Sequence, residues 1–202
     1  MEDKKYRLPK RIDGKKTFDR IVETGTRLFA QYGFHATSIN KIIFESKIAT
    51  GTFYLYFDDK QSLYVYLIDI YGAKIRSAIH DGIKGAKTRY EMEREGLKAF
   101  ITFAWHHPIS YRVFWEAMYV DFEIFKNYYQ DFAKAYIKGL KIAQETGEVV
   151  KDLDLETLAF ALMGISNFVG LMVLFEENVT IDYIEDLTDK TMSILSQGMF
   201  RK

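Results

Sequence analysis

The 202 residues carry 28 Lys and Arg against 28 Asp and Glu, so the formal net charge is zero. A composition of 48% hydrophobic and 16% aromatic residues excludes a disordered chain, and 202 residues suffice to bury a real core. Only two prolines occur, which favours long helices over turn-rich β architecture; the absence of cysteine excludes disulfides, thiolate metal sites and a cysteine nucleophile.

The opening stretch, MEDKKYRLPKRIDGKKTFDRIV, has no apolar core of the secretory kind, so a cytoplasmic location is expected. Residues 1–16 hold seven basic side chains (Lys4, Lys5, Arg7, Lys10, Arg11, Lys15, Lys16) against three acidic ones. They read either as a solvated charge run or as an arm that follows phosphates or enters a minor groove. Phe18, Ile21, Val22, Gly25, Leu28, Phe29 and Tyr32 recur at helical steps and predict a first amphipathic helix, stopped by Gly33. Thr37 or Ser38 then opens a short helix over 39–45. A second short helix follows over 50–56, and Asp58 or Asp59 caps a long one bearing Leu63, Leu67, Ile70, Tyr71, Ile75 and Ile79 on one side.

Five more helices are expected, over roughly 89–105, 108–119, 122–145, 155–176 and 181–199. The expected fold is all-α with about nine helices: residues 1–60 form an N-terminal arm and head, and residues 61–202 a helical body. One stretch needs weighing against a membrane. Residues 157–175 run nineteen positions without a charge, near the length that spans a bilayer. Acidic residues flank it on both sides, basic and Trp anchors are missing, and Ser166, Asn167 and two glycines interrupt it, so a buried bundle helix is expected instead.

Two short helices joined by about four residues behind a longer amphipathic one make a helix-turn-helix. Such a motif needs apolar residues to lock its helices, available here as Ile39, Ile42, Ile43, Ile48, Phe53 and Phe57. It also needs small or polar residues leading the second helix, whose N-terminal end enters the major groove. Thr50, Gly51 and Thr52 fit that need. The run Leu28-Phe29, Gly33-Phe34, Thr37-Ser38-Ile39, Ile42, Thr50 to Phe57, Lys60 and Leu63 resembles the TetR family of transcriptional regulators over residues 17 to about 64.

The resemblance implies contacts residue by residue. Thr37 and Ser38 would meet phosphates at a helix N-terminus. Thr50, Gly51, Leu55 and Tyr56 would face base edges, Thr52 and Tyr54 the DNA backbone, and Lys60 a phosphate. Two departures from the family pattern bear on this. Ser46-Lys47 stands where Ala-Gly is common; a left-handed Lys47 would strain the turn by about 1–2 kcal/mol, and a differently shaped turn is the alternative. Lys47 would also gain a phosphate contact. Ala49 replaces the usual capping Ser, and Thr50 is expected to take over the cap, moving the helix start by one residue.

The body is rich in rings between residues 100 and 136, enough to line an apolar cavity. The resemblance implies a small-molecule effector there; the rings suggest an apolar or aromatic one, with Trp105, Tyr129 and Phe168 as walls and Asn167 as either a polar contact or a satisfied core or interface residue. It further implies a homodimer through the last two helices, a palindromic double-stranded operator, and repression relieved by the effector. No catalytic residue, cofactor or metal is expected, because neighbouring His106 and His107 point about 100° apart on a helix and cannot chelate as a pair. A helical enzyme or carrier using the aromatic cavity is the alternative. The charge balance conceals an asymmetry: residues 1–60 hold 12 basic and 8 acidic side chains and the remainder 16 and 20, so a basic head offsets an acidic body.

Overall fold

The computed structural model describes residues 6–198, and among them it contains nine helices and no strand beyond one isolated antiparallel bridge, Tyr6 to Phe57. The helices are α1 (Ile12–Ala36), α2 (Ile39–Ser46), α3 (Thr50–Tyr56), α4 (Lys60–Gly82), α5 (Arg89–His106), α6 (Pro108–Val120), α7 (Phe122–Glu145), α8 (Leu155–Phe175) and α9 (Ile181–Gln197). Their order and bounds follow the sequence signals to within a few residues, except at α1. That helix starts at Ile12, so Lys15 and Lys16 belong to it and not to an arm; Lys4, Lys5 and Met199 lie outside the described residues.

Side-chain capping explains four of the helix starts. Ser38, Thr88, Asp154 and Thr180 each accept a backbone N–H three residues on, and Thr88 with Glu91 forms a complete capping box. Gly33, at φ +80°, interrupts α1 where the sequence places its stop, in a conformation open only to glycine without strain.

The chain packs as two compact units. One comprises residues up to Ala73 together with Ile109–Lys126; the other comprises Lys74–Pro108 and residues from Asn127 onward. Packing places the start of α4 and nearly all of α6 in the first unit, the head. The chain therefore passes between units three times, after residues 73, 108 and 126.

In the head unit, Phe18, Ile21, Leu28, Phe29, Ile42, Phe53, Phe57, Leu63 and Leu67 are almost fully buried and form a continuous core. Burying each such side chain contributes about 1.5–3 kcal/mol. In the body unit, α5 packs against α8 and α9, while Leu140, Ala159 and Leu162 centre a second cluster between α7 and α8. Arg94 of α5 bridges to Glu185 and Asp189 of α9, both at 2.8 Å, and Lys98 also pairs with Glu185.

Helix α8 is long and apolar enough to cross a membrane. Ala159, Leu162, Met163, Gly170 and Val173 turn inward, but Phe160, Phe168, Met172 and Phe175 remain exposed. Within this one chain the helix is thus only partly covered.

Candidate nucleic-acid interface

Helix α2 begins at Ser38, whose Oγ accepts the Lys41 N–H at 3.2 Å. Ile42 and Ile43 face the core, and Phe44 points outward, 81% exposed. At the far end Lys47 takes the left-handed conformation, φ 53° and ψ 50°. Its N–H donates to the Phe44 carbonyl at 3.1 Å, and the Ile48 N–H reaches back to Ile43 at 3.3 Å. This closure satisfies the last carbonyls of α2 and keeps the left-handed turn, so the alternative of a reshaped turn is overturned. Ser46 in the same turn is buried, and its Oγ has no hydrogen-bond partner.

Helix α3 follows with Ala49 at its N-cap and no side-chain cap. Thr50 is already the first helical residue, so it does not replace the missing cap as expected. Phe53 turns inward against Phe57, which stacks on Phe18 at 5.2 Å between ring centroids. Thr50, Gly51, Tyr54 and Leu55 are exposed together on the outer side, with Thr52 half-buried beside them. A Cβ added at Gly51 would meet nothing within 4 Å.

Three expected contacts are corrected by burial and bonding. Tyr56 faces α1: its hydroxyl donates to the Gly14 carbonyl at 3.2 Å and its ring sits edge-on to Phe18, so it does not join the exposed set. Thr37 is fully buried, its hydroxyl donating to the Leu28 and Gly33 carbonyls and its N–H to Phe34. It holds the α1–α2 corner and offers nothing to a phosphate. Lys60 donates its ammonium to the carbonyls of Phe34 at 2.6 Å and Thr37 at 2.8 Å. Burial holds its pKa below the ordinary lysine value, an effect partly opposed by the nearby Glu116 carboxylate.

Residues 6 and 7 are anchored to the head. The Arg7 N–H donates to Tyr56 at 2.8 Å, its guanidinium pairs with Asp58 at 2.7 Å, and the Tyr6 hydroxyl donates to Asp69 at 2.7 Å. Arg7 is thereby placed beside α3, which its position in a charge run could not disclose. Glu116, 82 residues along the chain from Phe34, accepts the Phe34 N–H at 2.6 Å and had no sequence signal at all.

Residues 21–67 match the model described as bacterial regulatory proteins, tetR family. Two curated relatives come from Bacillus subtilis (strain 168). The chain is 27% identical to the HTH-type transcriptional regulator YerO over 195 residues, covering 91% of this chain and 65% of that protein. It is 31% identical to the HTH-type transcriptional regulator YuxN over 94 residues, 46% of this chain and 31% of that protein. The chain thus spans less than two thirds of the length of each.

The fold also matches the crystal structure of the Bacillus subtilis transcriptional regulator FadR in complex with stearoyl-CoA. The TM-score is 0.75 at 14% identity, covering 91% of this chain and all of that one. The chain thus carries a tetR-family regulatory domain over residues 21–67, within the same fold as that regulator.

The residues expected to meet an effector lie in differing surroundings. Phe168 is 65% exposed, so it lines no interior cavity. Asn167 directs its amide to the Met163 carbonyl of its own helix at 2.7 Å. Trp105 and Tyr129 are half-buried, lying against His106 and Tyr128 respectively. An open cleft of about 360 Å³ lies instead between the end of α4 and α5, lined by Ala78, Gly82, Ala99, Phe103, His106 and His107 among others. Among the described residues no group of three or more His, Asp or Glu could hold a metal ion.

Proposed function

We propose that this chain is a TetR-type regulator: a cytoplasmic, homodimeric repressor that binds a palindromic double-stranded operator and is released by a small apolar or aromatic effector. The observation that carries the DNA-binding reading is the outer side of α3. Thr50, Gly51, Tyr54 and Leu55 are exposed on a helix held by a rigid aromatic core, and Gly51 stands where packing does not require a glycine. Glycine in a helix costs up to about 1 kcal/mol relative to alanine, and its use here fits close approach by a partner's backbone. Ser38, Lys47 and Thr52 flank this surface as phosphate contacts.

The exposed Phe160, Phe168, Met172 and Phe175 of α8, with Ile181 and Ile194 of α9, support dimerisation through the last two helices. A symmetric pair also supplies the second recognition helix that a palindrome needs. The stearoyl-CoA held by the Bacillus subtilis FadR supports an apolar effector class for a chain of the same fold.

Selection of bound duplexes from a random pool, followed by titration at several salt concentrations, tests this reading. A palindromic sequence should emerge, with log affinity falling linearly against log salt. Indifference to every duplex at low salt would refute it.

A further inference from the structure

The α1–α2 corner is built from a glycine break. With Gly33 at φ +80°, the Phe34 N–H leaves the hydrogen-bond ladder of α1 and needs an outside acceptor. Glu116 of α6 supplies it, its Oε1 accepting that N–H at 2.6 Å. A Cβ at Gly33 would stand 3.0 Å from the same oxygen, so the glycine also leaves room for the carboxylate.

On the other side of the corner, Lys60 gathers the Phe34 and Thr37 carbonyls, and its ammonium lies 4.2 Å from the centroid of the Phe34 ring. One residue beyond Thr37 is Ser38, the N-cap of α2. Helix α6 is fixed to the head at further points: the Tyr64 hydroxyl donates to the Val113 carbonyl, and Gln61 donates to Asp121 at 2.6 Å.

We propose that Glu116 is a positioning residue for DNA binding, its carboxylate fixing the α1–α2 corner and through it the Ser38 end of α2. This inference rests on the DNA-binding reading above. Both ends of the 109–126 segment continue into the body unit, so α6 joins the corner to the rest of the chain by a covalent route separate from α4. The oxygen's reach matters more than its charge, because the partner it serves is a neutral amide.

The test compares Glu116→Gln, which keeps the reach, with Glu116→Asp, which keeps the charge but is one methylene shorter. Gln61→Ala serves as a control that loosens α6 away from the corner. A duplex selected by the wild-type chain is the probe, and amide hydrogen exchange at Phe34 is the second readout.

Glu116→Asp should weaken duplex binding about tenfold or more and speed exchange at Phe34, as leaving the part-buried Phe34 N–H without its acceptor implies. Glu116→Gln and Gln61→Ala should both stay within about threefold of wild type, with Phe34 still protected under Gln. Wild-type affinity in Glu116→Asp, or an equal loss in Gln61→Ala, would overturn the inference while leaving the DNA-binding reading intact. A wild-type chain that selects no duplex would overturn both.

Discussion

The Lys60 ammonium donates to the Phe34 carbonyl at 2.6 Å, tying the first residue of α4 to the end of α1 across 26 residues of sequence. The same nitrogen reaches the Thr37 carbonyl at 2.8 Å. Truncation to Ala should therefore remove charge-assisted hydrogen bonds from a half-buried corner, at a cost of about 1.5–3 kcal/mol. Thermal unfolding of Lys60→Ala should show a lower Tm, and any loss of DNA affinity should be measured at a temperature where the variant remains folded. An unchanged Tm would return Lys60 to the role of a simple phosphate contact.

The turn between α2 and α3 holds two independent destabilising features. The Ser46 hydroxyl is buried without a partner, so Ser46→Ala should raise stability by about 1 kcal/mol. Lys47 occupies the left-handed region, and Lys47→Gly should relieve about 1 kcal/mol of strain. The two changes separate in a DNA assay. Loss of the exposed Lys47 charge should reduce the salt slope by about one, whereas Ser46→Ala should leave it unchanged.

Gly51 and Tyr56 lie on opposite sides of α3 and should behave oppositely. Gly51→Ala should stabilise the fold by up to about 1 kcal/mol, since its added Cβ meets nothing, yet should weaken duplex binding by blocking close approach. Tyr56→Phe should cost about 1 kcal/mol through the lost bond to the Gly14 carbonyl and leave sequence preference unaltered. Leu55→Ala, on the exposed side, should shift that preference. Repeating the duplex selection with each variant checks all three.

His107 lines the cleft beside α5, where burial, then Lys74 and His106, hold its pKa below the ordinary 6.5. The folded state therefore binds this proton less readily than the unfolded chain. Stability contributed by neutral His107 should be complete above pH 6.5 and lost as pH falls from there through the depressed folded value. The fall in Tm between pH 7.5 and pH 5.5 should be smaller in His107→Gln than in wild type; equal falls in both would remove His107 as the cause.

Helix α3 and Thr37 show where sequence reading reaches its end. The spacing of Phe53 and Phe57 identified the inward side of α3, and Gly33 and Ser38 marked a helix stop and a helix start. Periodicity could not tell that Tyr56 turns toward α1, because position 56 lies at the border of the buried side and its partner is the Gly14 carbonyl, 42 residues away. The same limit applies to Thr37: a threonine before a short helix has the chemistry of a phosphate contact, and only its full burial reassigns its hydroxyl to two carbonyls.

Sequence by itself determined the nine helices, the helix-turn-helix and the basic head, because these depend on local periodicity, caps and charge counts. Tertiary structure decided which polar groups remain available. Lys60 is spent on the α1–α2 corner, Arg7 is brought beside α3, and Glu116 caps an amide eighty-two residues away. Which residues of α8 stay uncovered within one chain was likewise not legible, since an apolar helix reads the same on every side. In each case the deciding partner is remote along the chain, and hydrogen bonds between remote residues leave no periodic trace in sequence.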